Sequence, residues 1–221
     1  MHEVLLSVDN VSHYYADGPL QRPALRDVSC EVIAGARVAV IGPSGSGKST
    51  LLHLMAGLDK PTKGLVAWPA LGSEIDLRPG QVCLIPQTPS LLPTLTVLEN
   101  VELCWLLSTR HEAQARPSAL RALEALGLST IANRLPEELS GGQVQRVAAA
   151  RAIVCQPRLI LADEPTGQLD SVTGSRLIEA LALSATNFGA ALVVATHDIT
   201  VANRMEVHWR IARGKLERDS T

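Results

Sequence analysis

Short apolar runs, each closed by turn-forming residues, set the rhythm of this chain. Residues 37–41 (RVAVI), 159–162 (LILA) and 192–195 (LVVA) are nearly unbroken in apolar positions, the pattern of strands buried on both faces of a parallel sheet. Residues 4–8 give a fourth β-type run and residues 82–85 a weaker fifth. Helical composition begins at 49–56, which stops near Gly57, and then dominates 97–107, 116–126 and 143–155. Strand signals nearly vanish between 97 and 155. The pattern predicts an α/β fold in which a helical block, 88–155, is inserted between two sheet-forming parts, 1–87 and 156–221. The chain shows no internal repeat and no low-complexity tract.

Composition narrows the function classes. With 221 residues and 46% hydrophobic content, the chain can bury a core large enough for one domain or two closely joined subdomains. The formal net charge is −2 and there is no dense basic run, so nucleic acid is not expected as a partner. Cys30, Cys83, Cys104 and Cys155 are far apart in sequence and show no C-x-x-C spacing. That usage fits a reduced compartment and does not indicate a thiolate metal site. Met1-His2-Glu3 lacks the basic start of a signal peptide, and no uncharged apolar run approaches the ~20 residues of a membrane span. A soluble chain without its own lipid anchor is expected.

The strand 37–41 runs into Gly42-Pro43-Ser44-Gly45-Ser46-Gly47-Lys48-Ser49-Thr50, and a helix follows. This is G-x-x-x-x-G-K-[ST] in the strand–turn–helix context that a phosphate-binding loop requires. Glycines at 42, 45 and 47 let the backbone wrap so that successive N–H groups converge on one anion, with the helix's positive end behind them. Lys48 is the residue to reach the β- and γ-phosphates, and Ser49 the one to ligate Mg²⁺. The loop alone leaves kinases, GTPases and ATPases open. The second element is the apolar run 159–162 followed by Asp163 and Glu164. A carboxylate at the carboxyl end of a parallel strand is placed to hold the Mg²⁺ shell, which assigns Asp163. Glu164, one residue on and turned differently, can accept a proton from an attacking water. Hydrolysis is thereby favoured over nucleotide storage.

At Leu139-Ser140-Gly141-Gly142-Gln143, ahead of an Ala-rich helix, the chain resembles the ATP-binding subunits of ABC transporters, for which LSGGQ is the hallmark. Ser140, Gly141 and Gly142 at a helix start repeat the phosphate-loop device, presenting N–H and hydroxyl groups to an anion. The motif order agrees with that family over nearly the whole chain: the loop at 42–49, Gln87 after a strand, LSGGQ at 139–143, Asp163-Glu164, Asp170, then His197. The resemblance implies a P-loop NTPase cassette with a RecA-like parallel core, an N-terminal antiparallel β part and the inserted helical subdomain. It implies ATP and Mg²⁺ as ligands. Gln87 is similar to the family's Mg²⁺- and water-sensing glutamine, His197 to its γ-phosphate histidine, and Asp170 to an aspartate that crosses the subunit interface. An aromatic residue before Ala16-Asp17-Gly18 resembles the adenine stacker, a role that the sequence leaves open between Tyr14 and Tyr15 and that we assign to Tyr15. His13, His53, His111 and His208 have no ligand-like pairing and read as structural or surface residues.

The stretches GPSGSGKSTLLHLMAGLDKPTKG and ILADEPTGQLDS further resemble the lipoprotein-release, macrolide-efflux, haem-export and cell-division branch. Gln168 stands where asparagine is usual, Val144 replaces a polar residue, and the segment between Trp68 and Val82 is short, so the substrate group within the branch stays open. In the family one working site takes its loop from one subunit and LSGGQ from another. A homodimer is therefore implied, with a polytopic membrane permease as second partner and the cytoplasmic face of the cell membrane as location. Residues 90–97, apolar and punctuated by Pro93, either form the groove that receives a permease helix or simply pack between subdomains. An iron–sulfur assembly ATPase is the soluble alternative. A GTPase is disfavoured by the lack of an N-K-x-D segment.

Overall fold

The computed structural model describes residues 3–15, 23–74, 77, 80–109 and 111–218. Nine strands and six helices are ordered β1 (Val4–Tyr14), β2 (Pro23–Ile33), β3 (Arg37–Ile41), α1 (Lys48–Met55), β4 (Lys63–Ala67), β5 (Val82–Ile85), α2 (Val97–Thr109), α3 (Glu112–Ala125), α4 (Gly141–Val154), β6 (Leu159–Asp163), α5 (Ser171–Phe188), β7 (Ala191–Thr196), α6 (Ile199–Ala202), β8 (Val207–Ala212) and β9 (Lys215–Arg218) among the described residues. The main sheet has the order β5-β6-β7-β3-β8-β9, parallel throughout except for β9. A separate antiparallel sheet, β2-β1-β4, is built from the N-terminal part. No described helix is long and apolar enough to cross a membrane.

The unbroken apolar runs are explained by how the core divides. Alternate side chains of a strand point to opposite faces. On one face Ala39, Ile85, Ile160, Ala162, Leu192 and Val194 join a core built with α2, α3, α4 and α5. On the other face Val38, Val40, Leu159, Leu161, Val193 and Ala195 join α1 and the antiparallel sheet. All five residues of β6 and all six of β7 are buried. The helical block thus shares its core with one face of the main sheet.

The strands expected over 4–8, 37–41, 82–85, 159–162 and 192–195 are present, and the first is longer than expected. Strands β2 and β4, helix α6 and two further groups were not anticipated from the runs. One is the hairpin β8–β9, turned by Arg213 (φ 51) and Gly214 (φ 77), a two-residue turn whose positive φ values match the strand twist. The other is α5, capped by Asp170, which accepts from the N–H groups of Val172 and Thr173, and closed by Gly189 in the left-handed region. Its buried stripe Leu177, Ile178, Leu181 and Ala185 has helical spacing.

Candidate active site

The phosphate-loop sequence connects β3 to α1, and neighbouring backbone explains its glycines. A Cβ on Gly42 would lie 2.3 Å from the Ile211 carbonyl oxygen of β8 and 2.7 Å from Ser46 Oγ. Gly47 holds φ 110 immediately before α1, and a Cβ there would lie 2.5 Å from the Ala24 carbonyl of β2. The loop is held from outside as well, since Gly214 N–H donates to the Ser46 carbonyl at 3.1 Å. Ala24 and Gly214 therefore shape the cradle although nothing in the local sequence marks them.

Lys48 opens α1 and folds back over the loop, its Nζ donating to the carbonyls of Gly42 (2.9 Å) and Pro43 (3.2 Å). It is only 6% exposed and lies 3.3 Å from Glu164 Oε1. The other Glu164 oxygen is 2.9 Å from His197 Nδ1. One carboxylate thus links the loop lysine to the residue after β7. Glu164 sits at φ 45, a left-handed conformation costing a non-glycine residue roughly 1–2 kcal/mol. Its N–H donates to the Ala195 carbonyl of β7 at 2.9 Å, which fixes that turn. A carboxylate held between a cation and an imidazole, and 8% exposed, can take a proton from a water at the cleft.

Asp163 ends β6, buried to 3% exposure. Burial raises its carboxyl above the usual range, opposed first by a hydrogen bond with the Ser49 side chain. Its Oδ1 has no hydrogen-bond partner, which is costly for a buried carboxylate unless a ligand uses it. Asp163, Ser49 and Gln87 offer oxygen donors, the type Mg²⁺ prefers when phosphates and waters complete its shell, and Ser49 and Gln87 line one cleft. The residues fit that cation.

The loop residues Ser44, Gly45, Gly47, Lys48, Ser49 and Thr50 line one cleft of about 330 Å³, closed by Tyr15, Ala24, Gln87 and Glu164. Tyr15 is 48% exposed. Its hydroxyl meets Thr50 Oγ1 at 3.1 Å, and His13 contacts its ring edge-on at 4.8 Å between centroids. Tyr14 is not among the residues lining the cleft and sits in β1 opposite Pro23. The following Ala16-Asp17-Gly18 lies outside the described residues, as does part of the short segment between Trp68 and Val82.

The LSGGQ segment and Asp170 are likewise absent from that lining. Ser140 caps α4: its Oγ accepts from Gln143 N–H at 3.3 Å, and Gln143 Oε1 accepts from Ser140 N–H at 2.8 Å. The glycines pack against the turn before α5. A Cβ on Gly141 would be 2.8 Å from Gln168 Oε1, and one on Gly142 would be 2.7 Å from Leu169 Cδ2. Ser140 and Gly141 are exposed, so this helix start faces outward. Asp170 is engaged as the cap of α5, and its hydrogen bonds from Thr173 hold its carboxyl below the usual range.

A second cleft, of about 390 Å³, lies between the edge strand β5, α2 and α4. It shares Ser90 with the apolar segment 90–97 and is otherwise built from residues on other elements. The segment itself is fastened by buried Asn100, whose Nδ2 donates to the carbonyls of Leu92, Leu95 and Thr96 and whose Oδ1 accepts from Leu92 N–H.

A phosphate loop after β3, a carboxylate pair at the end of β6 and a separate signature helix define an ATP-hydrolysing cassette. Residues 25–167 match the family model described as ABC transporter, and the chain belongs to that family. Two solved structures of MJ0796 are similar over 96% of this chain and 97% of theirs, each with a TM-score of 0.89. One, at 39% identity, is a dimeric bacterial ABC transporter cassette. The other, at 38%, is a dimeric post-hydrolysis state of that ATP-binding cassette bound to ADP and Pi. The protein cbiO1 from Clostridium perfringens, described as part of the ABC transporter complex cbiONQ, is 26% identical over 97% of this chain and 87% of that one, with a TM-score of 0.83. The chain is an ATPase cassette of the kind that powers ABC transporters.

Proposed function

We propose that two copies of this chain close around two Mg·ATP units and drive a membrane permease, an exporter or a mechanotransmission system of the branch whose motifs it shares. The observation that carries this reading is the separation within one chain of the phosphate-loop cleft from an outward-facing Ser140-Gly141 helix start. Each half is incomplete and suits the other's anion. The dimeric relatives support the pairing, and the cbiONQ component supports a permease partner. Nothing among these relatives favours an iron–sulfur assembly role.

On this reading the backbone N–H groups of Gly45 and Gly47, with Lys48 and Thr50, hold the phosphates, and Tyr15 stacks on adenine. Ser49, Asp163 and Gln87 hold Mg²⁺, which when bound neutralises charge on the phosphates. Lys48 exchanges its Gly42 and Pro43 carbonyls for phosphate oxygens. Glu164 accepts the proton of the attacking water, and His197 contacts the γ-phosphate. Ser140, Gly141, Gly142 and Gln143 of the mate close the site, and Asp170 lies at the junction. Hydrolysis removes the shared anion and with it the contacts favouring closure. The groove beside β5 receives the permease, which would place the cassette at the cytoplasmic face of the cell membrane. Residues 88–155 act as the helical subdomain of one cassette.

Ser140→Ala tests the pairing. We expect hydrolysis to fall by on the order of 10²-fold, as for loss of a donor to transition-state charge, while a fluorescent ATP analogue still binds the monomer. Loss of monomer binding would contradict a role in the mate's site.

A further inference from the structure

Three of the four cysteines, distant in sequence, meet in the groove beside β5. Cys83 of β5, Cys104 of α2 and Cys155 at the end of α4 all line it, together with Arg151. The Arg151 side chain crosses the cluster, its Nε donating to Cys104 Sγ at 3.3 Å and its Nη1 to the Ser90 carbonyl at 2.7 Å. As a thiol, Cys155 donates to the carbonyls of Arg151 (3.4 Å) and Cys104 (3.5 Å). Cys83 and Cys155 line the groove from β5 and from the end of α4, two elements packed against each other. The interaction between them pulls the two thiols apart in acidity. It lowers Cys155, aided by Ser108 and the Arg151 charge, and it raises Cys83 together with burial. Among the described residues no His, Cys, Asp or Glu group has the arrangement to hold a metal ion, so the cluster reads as a thiol pair and not as a metal site.

We propose that Cys83 and Cys155 are a peroxide-oxidisable dithiol that forms a reversible disulfide across the groove, with Cys155 as the attacking thiolate. The Cys155 sulfur attacks one oxygen of hydrogen peroxide, and the O–O bond breaks. The departing hydroxide takes up a proton as water, leaving a sulfenic acid. Cys83 then gives up its proton and attacks that sulfur; the S–S bond forms, the S–O bond breaks, and a second water leaves. Two thiols are oxidised and one peroxide is reduced to two waters. A partly exposed thiolate near a cation with a neighbouring resolving thiol is the setting in which this chemistry is selective. The bond would tie β5 to the end of α4. A consequence for permease docking rests on the reading of the groove given above.

The test uses the reduced, isolated full chain. It is exposed to hydrogen peroxide, alkylated, digested without reductant and mapped by mass spectrometry. We expect a Cys83–Cys155 cross-link, loss of both thiols to alkylation, and full recovery with dithiothreitol, while buried Cys30 stays reduced. In Cys83→Ser, dimedone should trap a sulfenic acid on Cys155. In Cys155→Ser and Cys155→Ala, neither the cross-link nor the adduct should form. Cys104→Ser should still cross-link. A product joining Cys104 instead, or peroxide treatment that leaves Cys83 and Cys155 alkylatable in the folded protein, overturns the proposal. Because no permease is present, failure here leaves the docking reading untouched.

Discussion

The two clefts of this molecule are built in opposite ways. The nucleotide cleft takes most of its lining from seven consecutive residues, 44–50, of which all but Ser46 line it. Consecutive residues can be read as a motif because the backbone fixes their spacing before any tertiary contact forms. The groove beside β5 draws on β5, the segment after it, α2 and α4, and no local spacing announces it. The four cysteines show what is lost. Their separation in sequence argued against a thiolate metal site and announced no cluster, yet strand pairing and helix packing gather three of them in one place.

The same contrast governs what was legible elsewhere. Gly42, Lys48, Ser49, Asp163 and Glu164 could be assigned from the sequence because each is fixed by a strand end or a helix start. The link from Lys48 through Glu164 to His197 could not, since it depends on β6 and β7 being neighbours in the sheet. Nor could the backbone wall formed by Ala24 and Ile211, because a carbonyl carries no residue signature. The parallel strands β3, β5, β6 and β7 were found because burial on both faces removes polar residues, whereas parallel β8 carries exposed Val207 and Arg210 and was missed. In β2, by contrast, exposed and buried positions mix, and bulges in the pairing with β1 interrupt the alternation. Helix α5 had signals that could have revealed it: an Asp cap, a Gly stop and an apolar stripe at helical spacing.

The contrast can be tested through each cleft. The largest effect is expected at Glu164, as the proposed base. Glu164→Gln should lower steady-state hydrolysis by about 10²–10⁴-fold while leaving ATP binding intact, read by phosphate release beside equilibrium binding. Hydrolysis at the normal rate would remove Glu164 from the base role. Next comes the cradle's wall. Gly47→Ala introduces a Cβ 2.5 Å from the Ala24 carbonyl at φ 110, which should destabilise the chain by about 1–3 kcal/mol, seen as a lower urea midpoint and weaker ATP binding. In the segment after the groove, Asn100→Ala strands the amide and carbonyls it satisfies, costing about 1–3 kcal/mol. Urea denaturation should show that loss while ATP affinity of the folded chain stays unchanged, because the clamp lies outside the nucleotide cleft.

The smallest effect concerns pH. Burial keeps Asp163 protonated to higher pH in the folded chain than in the unfolded one, so over that interval the folded state binds more protons and stability falls as pH rises. The penalty is absent below the unfolded carboxyl's pKa and complete above the folded value. Asp163→Asn removes it. The variant should melt above the parent chain at neutral pH, lose that advantage on acidification, and lose Mg²⁺-dependent hydrolysis. A lower melting temperature at neutral pH would show that the carboxylate is stabilised by partners in the folded chain.

The pairing of half-sites is tested most directly by measuring ATPase activity per chain as the concentration of purified cassette is raised from nanomolar to micromolar. If one chain's cradle needs its mate's signature helix, specific activity must climb steeply with concentration and level off as the dimer fills. A specific activity that is high and constant from the most dilute sample upward would contradict the account.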